Sequence, residues 1–211
     1  MSLFRAVAWD IDGTLIDSEP LHQRALVAAS AALGANLGDL ESEAFRGVHA
    51  IDIWKALKPR FPIGSLFTTW IGAIEAHYVD HARELEPIPD AIEAMRELAR
   101  RGVAQACVSN SGRRIVDANI KALGVGKMIA FSLSLDDVTS GKPDPEPFLK
   151  AARRLGVEPH ATVAVEDSGA GARSARAAGL FVVGYSPSGE PFVGADCSIA
   201  KLMEVVALFG V

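Results

Sequence analysis

Cysteine is nearly absent: Cys107 and Cys197 are the only two in 211 residues, too few and too far apart for a disulfide framework or a thiolate metal site. Cys107 stands in an apolar run, where a reduced thiol packs as a small hydrophobe. A basic face is lacking too. With 21 lysines and arginines against 26 aspartates and glutamates, the net charge is −5 and the pI near 5.5. That excludes a protein held on nucleic acid by its phosphate backbone and leaves room only for a local basic pocket. No apolar run is long enough to span a bilayer, and the N-terminal residues show no basic segment followed by an apolar stretch. Low-complexity tracts and internal repeats are missing as well. What remains is ordinary globular composition, 49% hydrophobic and 22% charged, enough for one substantial core and a smaller inserted unit. The expectation is a soluble, cytoplasmic protein, monomer or weak dimer, with no membrane or nucleic-acid partner.

The first strand signal comes at once. The apolar run 4–9 reads as a buried parallel strand and Gly13-Thr14 as a sharp turn out of the sheet, so Asp10 and Asp12 stand at the strand's carboxyl end. Ligands of open α/β sheets bind at that end. Two carboxylates at this spacing reach one small volume and repel each other, and a hard cation such as Mg²⁺ keeps both ionised. Taken alone, Asp-Ile-Asp-Gly also reads as a plain polar turn.

From Asp17 to about Pro87 the pattern becomes wholly helical. Leu21, Ala25, Ala28, Ala29 and Ala32 share one face of a helix capped by Asp17 or Ser18 and ended by Gly34. Phe45, Val48, Ile51, Trp54 and Leu57 recur at helical spacing, as do Trp70, Ile74, His77 and Tyr78, with breakers at Gly34, Gly38, Pro59, Pro62 and Gly64. Such an insert is too long for a plain βα loop. The prolines within 85–89 mark the returning linker. Beyond it, strands at 103–108, 129–135, 162–165 and 180–184 alternate with helices at 90–101, 112–123, 145–155, 170–178 and 199–209. That alternation predicts an α/β fold: a doubly wound, Rossmann-like parallel sheet with right-handed crossovers over 1–16 and 90–211, and an all-helical domain inserted over 17–89.

Strands that run together bring their carboxyl ends to one crevice. The first ends on Asp10 and Asp12, the second on Ser109 and Asn110, and the strand before Ala170 on Glu166 and Asp167; Gly141-Lys142-Pro143 sets a lysine at the head of a helix. Carboxylates suit a divalent metal, while the hydroxyl, the lysine and helix N-terminal amides suit a phosphoryl group. Singly, Ser109-Asn110 also reads as a helix cap, Lys142 as a surface turn and Glu166-Asp167 as a capping acid pair. Their convergence favours a functional site.

In this order the stretches resemble the four motifs of the haloacid dehalogenase-like hydrolases, in particular the small-molecule phosphatases and β-phosphoglucomutases with a helical cap. The likeness covers nearly the whole chain. Asp10-Ile11-Asp12-Gly13-Thr14 looks like the first motif, Ser109 the second, Lys142 the third and Glu166-Asp167-Ser168 the fourth. The resemblance implies a Mg²⁺-dependent phosphatase in which Asp10 is the nucleophile that forms an aspartyl-phosphate and also a metal ligand. It implies Asp12 as general acid/base, with its backbone carbonyl on the metal. By the same likeness Asp167 is a metal ligand, Glu166 a ligand or close neighbour of the ligands, Ser109 touches a phosphate oxygen, and Lys142 bridges nucleophile and phosphate. Asn110 and His22 are further substrate-binding candidates, His22 because it matches a histidine of the mutase subgroup. The implied substrate is a small phosphorylated metabolite, a sugar phosphate or phospho-organic acid. The helical insert would be the cap that sets specificity, with Arg46, His49, Lys55 and Trp54 as candidate contacts.

Other readings meet specific obstacles. A haloacid dehalogenase proper needs neither metal nor second carboxylate, so Asp12 and Glu166-Asp167 argue against it. A sugar-phosphate mutase holds a second phosphate with an arginine after a Gly-Val pair; here Gly47-Val48 is followed by His49 and Ala50, leaving Arg46 as the substitute. A phosphonate hydrolase needs a Schiff-base lysine in the cap, Lys55 or Lys58. A non-catalytic metabolite-binding module has no use for the full set of motif residues.

Overall fold

The computed structural model describes residues 3–39, 45, 48 and 50–210. Two compact units emerge, Met1–Asp17 with Glu86–Val211, and Ser18–Leu85. In chain order the elements begin with β1 (Ala6–Trp9), β2 (Ile16–Asp17), α1 (Glu19–Ala32), α2 (Ala50–Leu57) and α3 (Phe67–His81). Next come β3 (Glu86–Pro87), α4 (Ala91–Arg100), β4 (Ala104–Val108), α5 (Arg113–Leu123) and β5 (Phe131–Leu133). The remainder is α6 (Glu146–Leu155), β6 (Thr162–Glu166), α7 (Gly169–Ala177), β7 (Phe181–Tyr185) and β8 (Cys197–Ile199).

The larger unit is a six-stranded parallel sheet in the order β5-β4-β1-β6-β7-β8, the α/β architecture expected. β1 is fully buried, as a near-continuous apolar strand covered on both faces must be. Ala6 pairs with Ala104 on one side and with Thr162 on the other. β1, β4 and β6 therefore start level, and their carboxyl ends put Asp10, Ser109 and Glu166 at one edge. On one face, Ala8, Ala164, Val108, Leu133 and Val182 pack against Phe148, Ala151, Ala172 and Ala175 of α6 and α7. On the other, Trp9 Nε1 donates to Gln105 Oε1 at 2.9 Å and Gln105 Nε2 donates to the Met95 carbonyl of α4 at 2.9 Å. Both buried polar side chains thus have partners.

Three expectations about the larger unit change. The strand expected over 129–135 shrinks to β5, because Ser134 caps a 3₁₀ turn at Leu135–Asp137 in a reciprocal box with Asp137. The helix expected over 199–209 is instead the edge strand β8 followed by a 3₁₀ helix, Leu202–Phe209. The stretch 85–89, expected as linker alone, contributes β3, antiparallel to β2; Pro87 fits there because a two-stranded ribbon leaves an edge position with no N–H to supply.

The second unit is helical in all its described elements. α1 buries Leu21, Ala25, Ala29 and Ser30, whereas Ala32, expected on that face, is exposed. Ser18 stands at its N-cap without a side-chain capping bond. Trp54 lies 5.4 Å from Trp70 and 4.8 Å from Phe61 between ring centroids, and Trp70 Nε1 donates to Ser30 Oγ at 2.9 Å. Trp54 is therefore a core residue of this unit, since its ring is buried among aromatics. Lys55 is exposed and paired with Asp52. Arg46, Gly47 and His49 lie outside the described residues. Among the described residues no helix is long and apolar enough to cross a membrane.

Candidate active site

At the carboxyl edge of the sheet a single lysine gathers the chemistry. Lys142 is 3% exposed. Its Nζ donates to Asp10 Oδ1 at 2.6 Å, to Glu166 Oε1 at 2.5 Å and to the Val108 carbonyl at 2.8 Å. Those three bonds use the whole donor capacity of an ammonium. The loop that carries it is clamped through the backbone: Asn110 Nδ2 donates to the Lys142 carbonyl at 2.9 Å, and the Lys142 amide donates to Asn110 Oδ1 at 2.8 Å. Asn110, expected against substrate, thus aims Lys142 with both ends of its carboxamide.

Asp12 turns the other way. Its Oδ2 accepts from Ser109 Oγ at 2.8 Å and Ser111 Oγ at 3.0 Å, and its Oδ1 accepts from Asn119 Nδ2 at 3.0 Å. Ser109, expected on a phosphate oxygen, bonds the acid/base candidate here. On the far side, Ser168 Oγ donates to Glu166 Oε2 at 2.9 Å and accepts the Gly171 amide at 3.0 Å, which caps α7 and ties that helix to the carboxylate. Thr14 Oγ1 reaches Asp167 Oδ1 at 3.4 Å. Gly13 has φ +84°, and a Cβ there would stand 2.2 Å from Asp167 Oδ2, so the turn after β1 admits only glycine so close to that carboxylate.

Among the described residues the balance of charge is lopsided, with Asp10, Asp12, Glu166 and Asp167 around the Lys142 ammonium. Burial opposes the charge on Lys142, but Asp10 and Glu166 outweigh it and hold the group protonated. Burial pushes the Asp10 carboxyl well above its ordinary range; Lys142 pulls it back, while Glu166, Asp167 and Asp12 push it further. Burial and then Glu166 raise Asp167 to about 6. That excess of carboxylate over ammonium favours a further cation. Asp10, Glu166 and Asp167 offer oxygens that all lie within 4.8 Å of one another, and Asp10 Oδ2 is buried without a hydrogen-bond partner among the described residues. An all-oxygen set with an open acceptor fits a hard divalent ion.

The structure thus brings Asp10, Asp12, Ser109, Asn110, Lys142, Glu166 and Asp167 together. His22 belongs to the helical unit, where its ring lies 4.5 Å from that of Tyr78. Sequence reasoning misses two participants, Ser111 and Asn119. Asn119 does leave a signal: it is a polar residue on the apolar stripe of Val116, Ile120 and Leu123, one turn along from Val116.

A family model of haloacid dehalogenase-like hydrolases matches residues 4–179. The chain is 31% identical over 216 residues to a plasmid-borne phosphoglycolate phosphatase of Cupriavidus necator, covering 96% of this chain and 92% of that one. It is 26% identical over 218 residues to validoxylamine A 7′-phosphate phosphatase of Streptomyces hygroscopicus subsp. limoneus, covering 96% of each. A crystal structure of a CbbY mutant from Rhodobacter sphaeroides in complex with xylulose-(1,5)bisphosphate superposes with a TM-score of 0.87 at 26% identity, over 99% of this chain and 100% of that one. The matched region runs from β1 through α7 and so takes in every carboxylate and the lysine just described: the chain belongs to the haloacid dehalogenase-like hydrolases and stands among their phosphatases.

Proposed function

We propose that this phosphatase hydrolyses the phosphomonoester of a small hydroxylated metabolite, a sugar phosphate or phospho-organic acid, through an aspartyl-phosphate on Asp10. The observation that carries the reading is the placement of Lys142 Nζ 2.6 Å from Asp10 Oδ1 while Asp10 Oδ2 has no hydrogen-bond partner among the described residues. A carboxylate meeting a phosphate dianion is repelled, and the buried ammonium offsets that repulsion before the reaction begins. Asp10 attacks phosphorus, the ester P–O bond breaks, and Asp12 gives a proton to the departing oxygen. Asp12 then takes a proton from water, whose oxygen attacks phosphorus and frees Asp10 with release of inorganic phosphate. Splitting the displacement in two lets one carboxylate serve first as acid and then as base, a transfer worth about 10²–10⁴-fold.

Mg²⁺ would be held by Asp10, Asp167, Glu166 and the Asp12 carbonyl, and would supply positive charge for the phosphoryl oxygens. The hydroxyl of Ser109 can turn from Asp12 to a phosphate oxygen. The helical unit is assigned the part of a cap, with His22 among its substrate contacts. Two relatives are phosphatases named for phosphoglycolate and validoxylamine A 7′-phosphate, and the CbbY mutant is in complex with xylulose-(1,5)bisphosphate; all three compounds are small phosphorylated metabolites, which supports the same class here.

The test is phosphate release across a panel of sugar, polyol and hydroxy-acid phosphates, with Mg²⁺ and with chelator, beside Asp10→Asn. Turnover that needs both Mg²⁺ and Asp10 is expected. Release that persists in folded Asp10→Asn would overturn the nucleophile.

A further inference from the structure

Of the residues α5 buries, Ile115, Val116, Asn119 and Leu123, one is polar. Asn119 is fully buried, and its Nδ2 donates to Asp12 Oδ1 at 3.0 Å. Asparagine is a poor helix former, and a buried carboxamide is unfavourable unless it is hydrogen-bonded, so neither helix propensity nor apolar packing accounts for it there. Its contact with Asp12 is across the fold, 107 residues back along the chain. Ser109 and Ser111 hold the second oxygen of the same carboxylate.

We infer that Asn119 is a positioning residue for the reaction: it grips Asp12 Oδ1 while the two serine hydroxyls grip Oδ2, and so fixes the plane of the proton-transferring carboxylate. The inference rests on the reading of Asp12 as general acid/base. Donors on only one oxygen would leave the carboxylate free to swing about its Cβ–Cγ bond. Donors on both define one plane, and a group held to one plane transfers its proton along one line. The chemistry of the grip matters too. A carboxamide donates an N–H without bringing charge, so it holds Asp12 without forming an ion pair that would compete with proton transfer. A lysine or arginine at this position would do so.

Proton donation helps most where the leaving oxygen is basic. Loss of the grip should therefore fall unequally on two probes, p-nitrophenyl phosphate, whose phenolate leaves readily without a proton, and phenyl phosphate, whose phenolate does not. The parameter to compare is kcat/KM, which reports the steps up to and including cleavage of the ester bond. Asn119→Leu, close in volume but with no donor, should lose ~10-fold or more on phenyl phosphate, a part of the full effect of a general acid. Its loss on p-nitrophenyl phosphate should be several-fold smaller, and Asn119→Ala should show the same imbalance. Equal losses on both probes, or recovery in Asn119→Leu of what Asn119→Ala loses, would mean a packing role and overturn the inference. Asp12→Asn, measured alongside, separates the two levels. If it shows no imbalance, the acid/base reading fails and the inference with it; if it does and folded Asn119 variants do not, the inference alone fails. Should neither Asn119 variant fold, the side-chain amide resonances of Asn119 in the wild-type chain carry the test. They should move on Asp12→Ala, and resonances that stay in place would overturn the grip.

Discussion

Gly171, in the first turn of α7, lies against the carboxylate of Glu166 so closely that a Cβ on it would stand 1.9 Å from Glu166 Cδ. The carboxylate cannot step aside freely, because Lys142 holds one of its oxygens and Ser168 the other. Gly171→Ala should therefore act as overpacking of a closed site, a loss of about 1–3 kcal/mol. Turnover should fall with it, since the displaced carboxylate carries Lys142 off its line to Asp10. Urea unfolding and steady-state kinetics of the variant measure the two effects. A protein with wild-type stability and rate would mean that the site has slack here that the geometry does not show.

Lys142 makes a sharper case. Removing the ammonium leaves Asp10 and Glu166 facing each other across a buried space. A charge-assisted contact is worth about 1.5–3 kcal/mol, so Lys142→Ala should slow turnover roughly 10–150-fold if the contact is felt mainly in the transition state. Lys142→Arg should recover only part of this, because a planar guanidinium cannot place one compact charge between two carboxylates and a carbonyl. Rates of the two variants beside their thermal melts decide it. Near-wild-type turnover of a folded Lys142→Ala would reject the bridging role.

Much of this site is legible in the amino-acid sequence, for a physical reason. Asp10, Ser109 and Glu166 each interrupt an apolar strand where it ends, and Lys142 sits between glycine and proline, so the pattern marks them locally. What stays hidden depends on partners far along the chain. Asn110 clamps a loop 32 residues away, and no spacing rule in the sequence says that its carboxamide holds that backbone. Asn119 escapes notice because a helical stripe is recognised by its apolar members. β8 is only three residues long, too short for alternation to declare itself.

Away from the site, Asp137 predicts a specific acid sensitivity. Burial works against its ionised form. It is outweighed by the Ser134 amide at 2.8 Å, the Ser134 hydroxyl at 2.7 Å and the Arg113 guanidinium, which together hold its carboxyl down to about 2. A folded-state value below the ordinary ~3.9 means a stabilising contribution present above about pH 4 and lost as pH falls through 2. With the side chain 33% exposed, solvent screening reduces it to on the order of 1 kcal/mol. Asp137→Asn should thus be less stable than wild type at pH 7, with the gap closing towards pH 2. Urea midpoints of both proteins along that range are the measurement, and a gap that stays constant with pH would refute the assignment.

The excess of carboxylates predicts that metal and Asp167 reverse each other's effect on stability. Without metal, Asp167 is one of the like charges crowding Asp10 and Glu166, and its own carboxyl is pushed up to about 6. Asp167→Asn keeps the shape and removes a charge, so the metal-free variant should melt at the same temperature as the metal-free wild type or higher. With Mg²⁺ the order should invert. A ligand that binds only the folded chain stabilises it by RT ln(1 + [L]/Kd), about 2.7 kcal/mol at a hundredfold excess over Kd. For a chain of this size that is roughly 5–10 °C. The variant, short of one oxygen donor carrying a full charge, should gain much less. Four melts suffice, each protein with chelator and with Mg²⁺ and in the absence of phosphate. A wild-type melt that Mg²⁺ does not move would take the metal out of this site, and a variant that gains as much as wild type would take Asp167 out of the ligand set.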